Sequence, residues 1–178
     1  MDLGGFRYFL FGAQAVVVHG IPRLTADIDV SVDLGGNTPA ELLAALATEG
    51  IVPRAIDFDA LVKTARLWPL VHASTRTPID LVLIGDGIDR VFLGRAQLID
   101  IAGTRVPVLS VEDLIATKVI TTRRKDRDDV LGLLSTQGDR LDFERVRTVL
   151  RDLDATLDEP RALRRFEALV RAHRRTTR

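Results

Sequence analysis

The stretch F-G-A-Q-A-V-V-V-H-G-I-P-R-L-T-A-D-I-D-V, residues 11–30, decides how the chain reads. Just upstream, residues 7–11 (R-Y-F-L-F) read as a short buried strand, which Gly12 ends. Residues 13–19 (A-Q-A-V-V-V-H) then read as a short helix closed by Gly20 and Pro22. From Asp27 to Asp33 the chain runs D-I-D-V-S-V-D, alternating polar and apolar at every step, which is the strand period. Asp27 and Asp29 therefore share one face, roughly 7 Å apart at the backbone. Ile28, Val30 and Val32 point the other way, into a core. Such an acid pair has two readings: metal ligands, or the solvated face of an edge strand.

Outward from this stretch, Gly35 and Gly36 stop the strand. Thr38 is a good N-cap, Pro39 suits a first helical turn, and Glu41 lies three residues after the cap. That helix runs to about Glu49 and stops at Gly50, and residues 57–67 are also predicted to be helical. Pro69 to Ala73 and Ile79 to Ile84 read as strands joined by the polar turn S-T-R-T-P. Residues 97–101 and 105–109 form a predicted hairpin around Gly103. Ser110 then caps a helix, with Asp113 three residues on. Beyond it only helical periodicity appears, broken near Gly138 and Pro160. The expected fold is α/β (α+β): a small mixed sheet with helices on one side over residues 1–109, then a helical part over 110–178.

Asp80 lies inside P-I-D-L-V-L-I, where every neighbour is apolar. A carboxylate there is costly unless a cation or hydrogen bonds compensate it. It is either half of a structural ion pair or part of a metal site shared with Asp27 and Asp29. Three carboxylates on two strands suit a two-metal site for phosphoryl transfer. Gly12 and Ala13, at a strand-to-helix turn, offer backbone N–H groups to phosphate oxygens or simply make a tight turn. Arg23 and Thr25 lie in the loop leading to Asp27, where a guanidinium can neutralise a triphosphate or stand on the surface. Lys118 falls near the apolar face of its helix, beside Leu114 and Ile115, and reaches a ligand or snorkels to solvent. The run Arg123 to Asp129 reads as a helix junction with internal salt bridges.

Composition narrows the chemistry. The 178 residues are 46% hydrophobic and 28% charged, the balance of an ordinary globular protein. With no cysteine there is no disulfide framework, thiolate zinc site or cysteine nucleophile. His19, His72 and His173 are scattered, so a metal here is held by oxygen, which points to Mg²⁺ or Mn²⁺. The formal net charge is zero, yet Arg161, Arg164, Arg165, Arg171, Arg174, Arg175 and Arg178 crowd the last stretch, where Glu167 is the only acid. Leu163, Phe166, Leu169 and Val170 fall at helical spacing and should pack inward, leaving a basic surface that suits phosphates. No signal-peptide pattern and no membrane-length apolar run is visible, so the expected location is cytoplasmic.

The stretch from Phe11 to Val30 resembles the signature of the polymerase-beta-like nucleotidyltransferase superfamily: a strand, a small-residue turn, a short helix, then an R-x-T-x-D-I-D strand. A second motif, an E-x-L-x-A-x-K helix followed by R-x-K-D-x-x-D, is matched by Glu112, Leu114, Ala116, Lys118, Arg123, Lys125, Asp126 and Asp129. It is similar to that of small bacterial AbiEii-type toxins of toxin–antitoxin and abortive-infection systems. With Asp80 in the strand between them, the resemblance covers residues 8 to 130. It implies a cytoplasmic enzyme that moves a nucleoside monophosphate from an NTP to a hydroxyl or phosphate acceptor. Asp27 and Asp29 would bind both metals; Asp80 would bind the catalytic metal and take the proton of the attacking hydroxyl. Gly12 would admit the triphosphate, and Lys118 would contact phosphate or position the acceptor. Asp126 and Asp129 would tie the helical part to the catalytic half. Ala13 stands where the family has Gly or Ser, and the chain begins almost at the first strand, where relatives carry a preceding helix.

The basic terminal helix points to an RNA acceptor, such as a tRNA end, and the resemblance to a cognate antitoxin as partner. Two other functions share these motifs: an aminoglycoside-type small-molecule nucleotidyltransferase, and a catalytically weak nucleotide-binding regulator.

Overall fold

A computed structural model describes residues 5–156 and 160–176. Its elements are β1 (Arg7–Leu10), α1 (Gly12–Val18), β2 (Ile28–Asp33), α2 (Pro39–Thr48), β3 (Ile51–Pro53), α3 (Phe58–Thr64), β4 (Leu67–His72) and β5 (Thr77–Leu83). They continue with α4 (Ile88–Arg95), β6 (Gln97–Ile101), β7 (Thr104–Val108), α5 (Val111–Ile120), α6 (Arg124–Gln137), α7 (Phe143–Asp154) and α8 (Ala162–Thr176). The described residues divide into two compact units. The first holds the chain up to Ala15 and Leu24–Leu109; the second holds Val16–Arg23 and the chain from Ser110 on.

The first unit is built on a mixed seven-stranded sheet in the order β3-β4-β5-β2-β1-β7-β6. At its centre β2 runs parallel to β5 and antiparallel to β1. The apolar half of D-I-D-V-S-V-D reads correctly: Val30 and Val32 are fully buried and join Leu81, Trp68 and Leu70 from the neighbouring strands, whereas Asp27 lies before the strand and Ser31 and Asp33 are buried as well. Leu42 and Leu46 of α2 and Phe58 of α3 close this core. Burial of each such side chain contributes about 1.5–3 kcal/mol. Helix α2 starts as its sequence predicts, with Thr38 and Glu41 forming a reciprocal capping box.

Two elements were not expected, β3 and α4. Strand β3 has three residues, one of them proline, too few to show a period. Helix α4 follows Gly87, which stands at its N-cap with φ +82° and offers no side-chain cap. On α4, Arg90 pairs with Asp33, whose side chain points away from the Val32 face, so helices are not confined to one side of the sheet. The helix expected over 57–67 ends at Thr64, because Leu67 is already in β4, paired with Val82 of β5.

The second unit is helical. Ser110 caps α5 by accepting from the Asp113 N–H, and Arg145 of α7 donates to both Ser110 Oγ and Asp113 Oδ2 at 3.0 Å. Leu114, Ile115 and Ala116 of α5 are fully buried, as are Leu133 of α6 and Val146 and Leu150 of α7. In α8, Phe166 and Val170 are buried and Leu163 and Leu169 half-buried, the spacing the sequence predicts. Asp154 of α7 accepts from the Ala162 and Leu163 N–H groups and so caps α8 from a distance. Arg171, Arg174 and Arg175 are exposed, and Arg178 lies outside the described residues. Among the described residues, no helix is long and apolar enough to cross a membrane.

Candidate active site

Parallel pairing of β2 with β5 puts Asp29 directly opposite Asp80. Register partners on adjacent strands present their side chains to the same face, so the two carboxylates stand side by side, opposite the Val30–Leu81 core. Both are half-buried. Asp27 lies just before β2, exposed, and its Oδ1 accepts a 2.8 Å hydrogen bond from Thr25 Oγ1. Thr25 thus orients the loop carboxylate that the strand itself does not hold.

The turn between β1 and α1 closes over Asp29. The Phe11 N–H donates to the Asp29 carbonyl at 3.1 Å, and the Ala13 N–H reaches Asp29 Oδ2 at 3.4 Å. Gly12 between them has φ +62°, and a Cβ on it would stand 2.5 Å from Asp29 Cγ. No side chain fits there, so glycine is required both for the backbone conformation and for the approach of the carboxylate. Gly12, Ala13, Thr25, Asp27, Asp29 and Asp80 all belong to the first unit.

Sequence reading missed Arg54. It follows β3, its Nε donates to the Leu70 carbonyl at 3.1 Å, and its guanidinium pairs with Asp80 Oδ1. This pairing compensates the carboxylate that stood among apolar neighbours. No local pattern marks Arg54, because β3 is too short to read and its partner is distant in sequence.

Arg23 and Lys118 belong to the second unit. Lys118 is buried, with Nζ 2.9 Å from Asp126 and 2.8 Å from Asp129. Arg23 reaches Asp129 at 2.5 Å, and Thr121 Oγ1 donates to Asp126 at 2.6 Å. Burial works to raise the Asp126 carboxyl, but the hydrogen bonds of Thr121 and Lys118 and the charges of Lys118 and Arg123 outweigh it and hold it below its ordinary value. In this arrangement, Asp126 and Asp129 serve the interior of the second unit.

Among the described residues, no three carboxylate or imidazole groups stand close enough together to hold a metal ion as placed. The donor chemistry fits Mg²⁺ or Mn²⁺ all the same. Asp29 and Asp80 offer hard oxygens on one face, Asp27 is in the loop leading to that face, and the bare Cα of Gly12 leaves Asp29 room.

Structural neighbours share this fold. The antibiotic-resistance factor ANT(2'')-Ia in solution aligns with a TM-score of 0.53 at 16% identity, over 96% of this chain and 89% of that one. The crystal structure of ANT(2'')-Ia in complex with adenylyl-2''-tobramycin gives 0.54 at 15% identity, over 85% and 90%. An antigenic nucleotidyltransferase-like protein from Paracoccidioides brasiliensis gives 0.51 at 18% identity, over 89% and 84%. No curated protein matches the sequence. The sequence itself matches a family described as a nucleotidyltransferase of unknown function, DUF6036, over residues 4–177. That match spans both acid strands and both units, and on it the chain belongs to this nucleotidyltransferase family and is a transferase enzyme.

Proposed function

We propose that the protein moves a nucleoside monophosphate from an NTP to a hydroxyl or phosphate acceptor on the face that bears Asp29 and Asp80. The observation that carries this is the in-register placement of those two carboxylates beneath a glycine turn that admits no side chain. Asp27, Asp29 and Asp80 would hold Mg²⁺ or Mn²⁺, which when bound neutralises charge developing on the phosphates. The acceptor oxygen attacks the α-phosphorus, the bond to the bridging oxygen breaks, and pyrophosphate leaves. Asp80 takes the proton of an attacking hydroxyl. Arg54 pairs with Asp80 Oδ1 alone, which leaves the second carboxylate oxygen for that proton. Gly12 and Ala13 keep the turn low over Asp29 so that phosphate can approach. Thr25 steadies Asp27.

For the acceptor, the exposed arginines of α8 favour RNA, such as a tRNA end. The second motif, from Glu112 to Asp129, favours the AbiEii-type branch, with a cognate antitoxin as partner and toxin–antitoxin function. NTP and Mg²⁺ as substrate and metal favour a cytoplasmic setting. A second reading has its own support: ANT(2'')-Ia, complexed with adenylyl-2''-tobramycin, shares the fold and suggests a small aminoglycoside acceptor. Incubation with each labelled NTP and Mg²⁺, with either total tRNA or an aminoglycoside panel, separates the two. Label should pass to tRNA and be lost with Asp29→Asn. Transfer to the drugs alone favours the second reading, and no transfer to any acceptor with any NTP removes both.

A further inference from the structure

Within the second unit, α5, α6 and α8 line an open cavity of about 680 Å³. This is the size of cavities that hold small organic ligands, roughly 300–1,000 Å³. Lys118, Arg123, Arg124, Arg127 and Arg165 line it, and no acidic residue does. The wall between these cations is apolar, from Val119, Val130 and Leu169.

Among the described residues, no ion pair joins Arg124 or Arg127 to Asp128 of the same helix, although the charge of Arg123 acts on Asp126. Asp126 is committed to Thr121 and Lys118, and Asp129 to Lys118 and Arg23. Arg165 is held by its hydrogen bond to the Ile120 carbonyl at 2.9 Å. Arg124 and Arg127, both exposed, have no side-chain hydrogen bond or ion pair among the described residues. They are the cations left for a ligand. Helix α6 also begins at this cavity, and Arg123 at its N-cap position makes no side-chain cap. A cation there opposes the helix dipole, and a bound anion would satisfy both.

We propose that this cavity is a binding site for a small organic anion, a phosphate monoester on a planar or apolar body. The phosphate takes the guanidinium groups of Arg124 and Arg127, for which its oxygens are a geometric match. The body lies against Val119, Val130 and Leu169. The proposed contacts all belong to the second unit and include neither Asp29 nor Asp80.

The test uses the full chain and 1-naphthyl phosphate as the probe, titrated by its own fluorescence, with 1-naphthylmethanol as a neutral counterpart. The phosphate should bind at least about tenfold more tightly than the alcohol. Arg124→Ala with Arg127→Ala should weaken it at least about tenfold, at an unchanged melting temperature, since both side chains are exposed. Ala168→Trp, from an exposed position on the cavity wall, should abolish binding by filling the space. Asp29→Asn should leave it intact. Equal affinity for the alcohol overturns the proposal, as does undiminished binding in the folded arginine variant. Loss with Asp29→Asn but not with Ala168→Trp puts the probe on the acid strands and overturns it too.

Discussion

Replacing Gly12 by alanine adds a single carbon, and that carbon meets the Asp29 carboxylate. A left-handed φ at a non-glycine residue costs about 1–2 kcal/mol by itself. Gly12→Ala should therefore lower the melting temperature, and it should also weaken Mg²⁺-dependent NTP binding, because Asp29 has to shift. Calorimetry reads the second effect; a folded variant with unchanged NTP affinity would separate Asp29 from the nucleotide. Asp80 is a different case. Its pair with Arg54 is open to solvent, the two side chains being 28% and 42% exposed, and such pairs contribute at most about 1 kcal/mol. Asp80→Asn should leave the melting temperature nearly unchanged while turnover falls at least about a hundredfold. Normal turnover in that variant would mean that Asp80 serves only Arg54.

At the scale of elements, α5 and α6 are joined through charge. Lys118→Met would leave Asp126 and Asp129 buried with less compensation, and the loss of stability should be about 3–5 kcal/mol in denaturant unfolding. Acid acts on the same junction. The Asp126 carboxyl is held below its ordinary value of 3.8, so its contribution is fully present above that pH and fades as pH falls below it. Asp126→Asn should flatten the acid side of the stability profile, and an unchanged profile would place the acid sensitivity elsewhere. The residues at this junction also show what the sequence makes legible. The motif spacing singles out Lys118, Asp126 and Asp129, but not that the lysine sits between the two acids. Likewise D-I-D-V-S-V-D announces its own strand, and Ser110 and Thr38 announce their helices, because those signals are local. The pairing of Asp29 with Asp80, the reach of Arg54 across β4 and the capping of α8 by Asp154 depend on partners far along the chain. No periodicity carries them. Strand β3 and helix α4 escaped for the simpler reason that one is too short and the other starts without a cap.

For the molecule as a whole, zero net charge conceals a basic α8. Combined Arg171→Glu, Arg174→Glu and Arg175→Glu should reduce tRNA affinity and lower the salt slope of binding by roughly two to three. A filter-binding titration at several salt concentrations measures both, and a cationic drug acceptor would respond in the opposite direction, if at all. The division of the chain has a practical side. The eight residues from Val16 to Arg23 belong to the second unit although the first unit flanks them on both sides. Ile21 in that segment lies against Gly132 of α6, so closely that a Cβ there would stand 3.2 Å from its Cδ1. A gene cut after Leu109 therefore yields two incomplete products. One carries an apolar insert stripped of its packing partners, and the other lacks the peptide that covers its own α6. Anyone wishing to graft the acid-bearing sheet onto another scaffold has to transplant a discontinuous module, or to redesign the insert as a polar loop.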